Sequence, residues 1–152
     1  MTETSKYKPP ENKEVKQVNV GKLDDFDMDY FKSLEGDGGW IALGMENCKN
    51  QHYFIVYSDS GEKIGIIGVY DTDDDKNISH TVVDPKYRGQ GLAGKFKDLL
   101  MDKLALPFIT LTIDLDNKSS IKATEKMAGI KKVSDDDYEK EFHKVKYRFE
   151  KL

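Results

Sequence analysis

Cysteine is nearly absent: 152 residues contain one, Cys48, so no internal disulfide can form. A reducing, cytoplasmic setting is the default expectation. Cys48 reads as a packed or bystander thiol rather than a nucleophile, since nothing in the sequence pairs it with a base. Long apolar runs are missing too. No stretch approaches the roughly 18 residues a membrane helix needs, and residues 1–13 hold no apolar signal core, so no membrane partner is expected. Positive charge is not in excess. The net charge of −4 argues against nucleic acid or an anionic surface as the main partner. Internal repeats and low-complexity blocks are lacking, and no metal site is expected. What remains is a chain of one-domain length, able to bury about two-thirds of its unfolded surface in a single core. A flexible polar lead over residues 1–13, with Pro9-Pro10, precedes it.

Hydropathy patterning fills residues 14–152 with strands and helices. Imperfect alternation over Val15–Val20 suggests a first strand. Phe26, Tyr30, Phe31 and Leu34 then recur at helical spacing within Asp24–Leu34, with aspartates at the start and Gly36 at the end. Gly38-Gly39 break the chain before Trp40–Met45, which reads equally as strand or buried turn. His52–Tyr57 and Lys63–Tyr70 are β-branched and aromatic segments split by the turn Ser58–Glu62, and the acidic run Asp71–Asp75 leads into Ile78–Val83. Three strands so linked make an antiparallel meander.

Further on, Leu92, Phe96, Leu99, Leu100 and Leu104 share one helical face, with Lys95, Lys97, Asp98 and Asp102 expected opposite and Pro107 ending the helix. Phe108–Ile113 is the next strand, and strand, helix, strand implies a right-handed parallel crossover. Asn117–Ala128 is expected as a helix, capped by Asn117 or Asp116 and stopped by Gly129. The close reads as a hairpin: Ile130–Val133, an acidic turn Ser134–Asp137, then Phe142–Phe149, where Val145, Tyr147 and Phe149 share a face. The fold class that follows is α/β with a mixed sheet, antiparallel first and parallel in the middle.

The stretch Ile78–Gly94 organises the rest. A strand stopped by Asp84-Pro85 crosses the basic loop Lys86-Tyr87-Arg88 and enters a helix through Gly89-Gln90-Gly91-Leu92-Ala93-Gly94. Glycines let backbone approach a ligand with no Cβ in the way. The first helical turn leaves about four N–H groups unpaired, and the helix dipole adds positive potential, so a pyrophosphate is the natural guest. Arg88 adds a full charge, either as a phosphate ligand or as a solvated loop cation. The same glycines also spell the dinucleotide fingerprint, Gly89-x-Gly91-x-x-Gly94, with Asp114 ending a strand 20 residues later. In a dinucleotide unit, however, the strand runs straight into the first glycine, whereas here Asp84–Arg88 intervene.

Arg88-Gly89-Gln90-Gly91-Leu92-Ala93 resembles motif A of the GNAT N-acetyltransferases, Arg/Gln-x-x-Gly-x-Gly/Ala. Val83-Asp84-Pro85-Lys86-Tyr87-Arg88 resembles the family's Val-x-Pro-x-x-Arg lead-in, and Asn117, Ser120 and Gly129 follow a strand at nearly the family's spacing. The resemblance spans roughly the last half of the chain and implies one GNAT-like domain over residues 14–152. In that fold two parallel strands, here Ile78–Val83 and Phe108–Asp114, splay around the pantetheine arm of acyl-CoA. It implies acetyl-CoA as cofactor, with its pyrophosphate on the backbone N–H groups of Arg88, Gly89, Gln90, Gly91, Leu92, Ala93 and Gly94. Backbone of Thr81 and Val83 would lie along the pantetheine, one N–H serving as oxyanion donor, and Asn117 would stand near the CoA arm.

The chemistry implied is acetyl transfer to a primary amine, on a small molecule, a polyamine or a peptide, by direct attack. An amine of pKa about 10.4 must lose a proton at a cost of about 4.6 kcal/mol at pH 7, so a base is needed. Where the family carries Glu or His this chain has Asn77 and Ser79. The alternatives are His80, which strand alternation sends to the face opposite Ser79 and Thr81, or a water held by Asn77, Ser79 or Thr81. Where the family often has a tyrosine acid for the departing thiolate, this chain has Thr124. Asp71, Asp73, Asp74 and Asp75 would attract a cationic amine or simply be solvated. A non-catalytic acyl-CoA-binding module is the alternative function, and an NAD-binding protein a further one. An exposed terminal strand would allow a homodimer.

Overall fold

The computed structural model describes residues 16–35 and 48–151. Among these residues seven strands form one sheet: β1 (Val20–Asp25), β2 (Lys49–Ser58), β3 (Lys63–Asp71), β4 (Ile78–Val83), β5 (Ile109–Asp114), β6 (Ile130–Lys132) and β7 (Lys144–Phe149). Four helices accompany them: α1 (Met28–Glu35), α2 (Leu92–Leu104), α3 (Lys118–Glu125) and α4 (Asp136–Phe142). The sheet order is β1-β2-β3-β4-β5-β7-β6, and only the β4–β5 neighbours are parallel. A single parallel pair inside an otherwise antiparallel sheet is the mixed architecture the sequence implies. It is not the run of parallel strands a dinucleotide-binding unit needs.

The core has two sides. On one, Leu92, Phe96, Leu100 and Met101 of α2 pack on Val56, Ile67, Ile109 and Tyr147 of the sheet. On the other, Phe31 of α1 packs on Tyr53, Ile55 and Ile66. Gly65 in β3 allows the first packing to be close, since a Cβ there would sit 2.5 Å from the Phe96 ring.

Several elements differ from the sequence reading. The first strand runs Val20–Asp25, not Val15–Val20, because Leu23 is buried opposite Val56 and pairing with β2 carries Asp24 and Asp25 into the ladder. The helix start falls to Asp27, whose carboxylate accepts from the main-chain N–H groups of Asp29 (3.0 Å) and Tyr30 (3.4 Å). The acidic stretch after β6 is not a turn. Asp135 caps α4 by accepting from Tyr138 N–H at 2.9 Å, and Asp136, Asp137 and Glu139 occupy the first turn, where negative charge favours a helix. β6 and β7 still pair antiparallel, joined by that helix.

β7, the strand expected to be exposed, lies inside the sheet between β5 and β6; the outer strands are β1 and β6. α3 stops at Glu125, short of Ala128. Lys97 is not on the solvent face of α2 but is 5 % exposed. The expected flexible lead, Gly36 and Trp40–Met45 fall outside the described residues.

Candidate active site

The crossover from β4 to α2 starts at a buried carboxylate. Asp84 accepts from Lys86 N–H at 3.0 Å and from the Tyr30 hydroxyl at 2.9 Å, so it both caps the short 3-10 turn Pro85–Tyr87 and ties that turn to α1. Burial, with the Asp84 carboxylate beside it, pushes the Tyr30 phenol well above its ordinary pKa, so the phenol stays a donor. Gln90 braces the loop from the other side. Its amide donates to the carbonyls of Tyr87 (3.1 Å) and Lys16 (2.6 Å), and its oxygen accepts from Val18 N–H at 3.1 Å. The loop therefore holds its shape through side chains. Its backbone is left for something else.

That backbone is bent for approach. Gly89 and Gly91 have φ of +86° and +73°, and nothing lies within 4 Å of a Cβ placed on either. Gly91 is the N-cap of α2 and gives the helix start no side-chain cap hydrogen bond. The first N–H groups of α2, over Leu92, Ala93 and Gly94, thus have no cap from residue 91, and the space a side chain there would take is empty, which suits an anion held by backbone and helix dipole. Arg88 is exposed, and its Nε donates to the Val83 carbonyl at 2.8 Å, which folds the guanidinium back beside the strand end.

From the loop, a gap leads inward between β4 and β5. The Asp84 N–H to Ile64 carbonyl bond (2.9 Å) next to the Gly65–Val83 pair marks that pair as one whose own N–H groups point outward from the ladder. By alternation Val83 and Thr81 turn their N–H and C=O groups away from β3 and toward β5. The parallel pairing there is registered at Ile78 with Thr110, at the start of both strands. Asn77 closes that end: its amide donates to the Phe108 carbonyl at 3.0 Å, and its own carbonyl accepts from Thr110 N–H at 2.8 Å. It acts as a peg between the two strands, outside the cavity described next.

A cavity of about 190 Å³ occupies the gap, lined by Ser79, His80, Thr81, Lys97, Ser120 and Thr124 together with β5 side chains. Ser79 Oγ is buried there without a hydrogen-bond partner. Lys97 Nζ reaches Thr81 Oγ1 and the Ala93 carbonyl, each at a long 3.4 Å, and burial lowers its pKa to about 8. Thr124, 8 % exposed, borders the same space.

His80 meets the cavity from the other side of the sheet, as alternation requires. Its Nδ1 is 3.4 Å from the Tyr53 hydroxyl, its ring is 5.2 Å from that of Tyr70, and burial, then Lys144, lowers its pKa. Such an imidazole is neutral at pH 7.

Asn117 is exposed and caps α3, accepting from Ser120 N–H at 3.2 Å. The acidic run is largely engaged: Asp73 with Lys49 (2.7 Å), Asp75 with Lys146 (2.8 Å), and Asp71 with Asn50 and Asn77 N–H (both 2.8 Å). Asp114, Asp116 and His143 bring three ligand atoms within 4.8 Å at the surface, where the His143–Asp116 pair at 3.1 Å accounts for the grouping.

Of the residues singled out in the sequence, Ser79, Thr81 and Thr124 line this cavity, while Asn77, Val83, Asn117 and the loop residues Arg88–Gly94 lie outside its lining; Lys97, expected on the solvent face, lines it as well. The signal is helical phase, which speaks only once the side of α2 that faces the sheet is known. Lys97 lies four residues after Ala93 and four before Met101, so it shares the stripe that faces the sheet rather than the one that faces water.

Known proteins resemble this arrangement as a whole. The model of the acetyltransferase (GNAT) family matches residues 21–130. No curated protein matches. Among solved structures, a chimera of the Vibrio cholerae spermidine N-acetyltransferase SpeG and hSSAT superposes with a TM-score of 0.60 at 12% identity, over 85% of this chain and 94% of that one. An acetyltransferase from Agrobacterium tumefaciens gives 0.56 at 16% identity, over 90% and 94%. The Campylobacter jejuni N-acetyltransferase PseH in complex with acetyl coenzyme A gives 0.51 at 14% identity, over 67% and 69%. At these identities the structures speak for the fold, and the family match over most of the chain decides the rest: this chain belongs to the GNAT acetyltransferase family.

Proposed function

We propose that the chain transfers an acetyl group from acetyl-CoA to a primary amine by direct attack. The observation that carries this reading is continuity. The uncapped start of α2 at Gly91 leads into a gap toward which Thr81 and Val83 turn their main-chain groups. The backbone of Arg88 to Gly94 would hold the pyrophosphate, and the Val83 or Thr81 N–H would donate to the thioester oxygen as charge develops on it. Acetyl-CoA, when bound, supplies the activated acyl group. The similarity to a structure holding acetyl coenzyme A supports that donor.

The amine arrives protonated and must be made neutral, a cost of about 4.6 kcal/mol for a lysine-like amine at pH 7. His80 suits this task, since burial keeps its imidazole unprotonated and it reaches the cavity from the face opposite Lys97. A water bonded to Ser79 Oγ, which has an unused acceptor and donor, is the other route. The acceptor is sought in a thiol-release assay with acetyl-CoA against polyamines, aminoglycosides, amino acids and lysine or N-terminal peptides. Amine-dependent release of free CoA supports the reading. Tight CoA binding without release by any amine would instead favour a non-catalytic acyl-CoA-binding module, a reading motivated by Asn77 and Thr124 at the positions where base and acid are expected.

A further inference from the structure

We propose that Lys97 serves the leaving group: its ammonium faces the sulfur as the carbon–sulfur bond breaks and hands it a proton. The inference rests on the acyl-transfer reading above and deepens it.

Three observations lead here. Lys97 shares with Thr81 and Thr124 the cavity between β4 and β5, on the side of β4 where the acyl end of a thioester held at the loop is placed by the proposed function. Thr124, the position at which the family resemblance expects an acid, has a hydroxyl of far too high a pKa to protonate a thiolate; Lys97 is a second proton-bearing group lining that cavity. Its charge also lacks a structural explanation. No carboxylate among the described residues pairs with Lys97, and its two hydrogen bonds are 3.4 Å long. A buried ammonium so weakly compensated destabilises a fold, and an apolar side chain on this stripe of α2 would pack better.

The proton balance is favourable. Burial brings the Lys97 ammonium down to a pKa of about 8, still mostly protonated at pH 7, close to the roughly 8.5 of a free thiol. Transfer between groups so matched is efficient. The side chains that line the cavity beside Lys97 from β4, β5 and α3 are hydroxyl or apolar, and His80, whose ring lies on the opposite face of β4, is kept neutral by burial. In the step, the amine nitrogen forms a bond to the acyl carbon and the carbon–sulfur bond breaks with its electron pair on sulfur. The sulfur takes a proton from Nζ. Neutral Lys97 regains one from solvent, while the proton lost by the amine leaves through the base on the opposite face. The sum is amine plus thioester giving amide plus thiol.

The first part of the test needs no acceptor. CoA binding is measured by calorimetry, and ionisation of the bound thiol is followed by thiolate ultraviolet absorbance across pH, in the parent, Lys97→Met and Lys97→Arg. The bound thiol is expected to titrate about one pH unit or more lower in the parent and Lys97→Arg than in Lys97→Met, with CoA affinity within about threefold throughout. With an accepted amine, Lys97→Met should lower kcat about tenfold or more at pH 7 while KM for acetyl-CoA holds. The parent's kcat should fall above about pH 8, and Lys97→Arg should lose that limb. Equal thiol titration in parent and Lys97→Met, a loss of CoA affinity in place of the titration shift, or an acetyl group found on Lys97 by intact mass would each overturn the proposal and leave acyl transfer standing. A parent that does not bind CoA removes both.

Discussion

The mouth of the site and its interior are built on opposite plans. At the mouth, around Gly89–Gly94, side chains are spent on bracing: Asp84, Gln90 and Arg88 each hydrogen-bond the protein itself, and in the proposed function recognition would fall to main-chain N–H groups beside glycines whose missing side chains leave open space. In the interior, the backbone of β4 is joined by side chains that are under-satisfied, namely Ser79 Oγ with no partner and Lys97 with two long bonds. A braced, backbone-lined mouth suits a constant guest. Under-satisfied polar groups in a buried cavity suit a guest whose charge changes during reaction.

The largest effect expected from breaking this contrast comes at the mouth. Gly91→Leu places a side chain where a Cβ meets nothing within 4 Å, so the fold should persist despite the positive φ. CoA affinity should fall on the order of 100-fold because the leucine occupies the anion cradle. Calorimetry with CoA, beside a thermal melt, checks both halves. Val83→Pro addresses the passage inward. Its N–H points away from β3, so proline removes a donor without breaking that ladder. A drop of about 100-fold in kcat with little change in CoA affinity is the expected outcome if that N–H serves the developing oxyanion.

A smaller effect separates the interior from ordinary core. Lys97 has its folded pKa depressed below the unfolded value, so between about pH 8 and pH 10.5 the unfolded chain binds more protons and the parent gains stability as pH rises. Lys97→Met has no such term. The variant should be at least as stable as the parent at pH 7, and the gap should narrow through that window in urea unfolding. The smallest effect is at the rim. Asn117→Ala removes the α3 cap and should lower stability by about 1 kcal/mol, with CoA affinity changed less than about threefold. A larger loss of CoA would give Asn117 a direct part in the mouth.

The same contrast explains what could be read from sequence. Backbone demands leave glycines and a proline behind as a local pattern, so Asp84–Gly94 and the strands around it are legible, with β4 found at its observed bounds. The interior is assembled from β4, α2 and α3, and its key cation sits among helix residues that look like a charged outer face. Helical phase relative to Ala93 identifies Lys97 only once that face is known to lie on the sheet. The helix α4 was hidden for a different reason: a run of aspartates suits a turn and a helix start equally, and the arbiter, the Asp135 cap, is a three-dimensional contact. β1 was displaced because pairing with β2 outweighs local alternation.

The position of β7 has a consequence for how the protein comes into being. During translation β5 emerges well before β7, yet β7 occupies the flank of β5 that faces away from the gap. Until Lys144–Phe149 leave the ribosome, one wall of the cleft is a bare strand edge exposed to other nascent chains. The ladder on that side of β5 should therefore close late, in one step, once β7 docks.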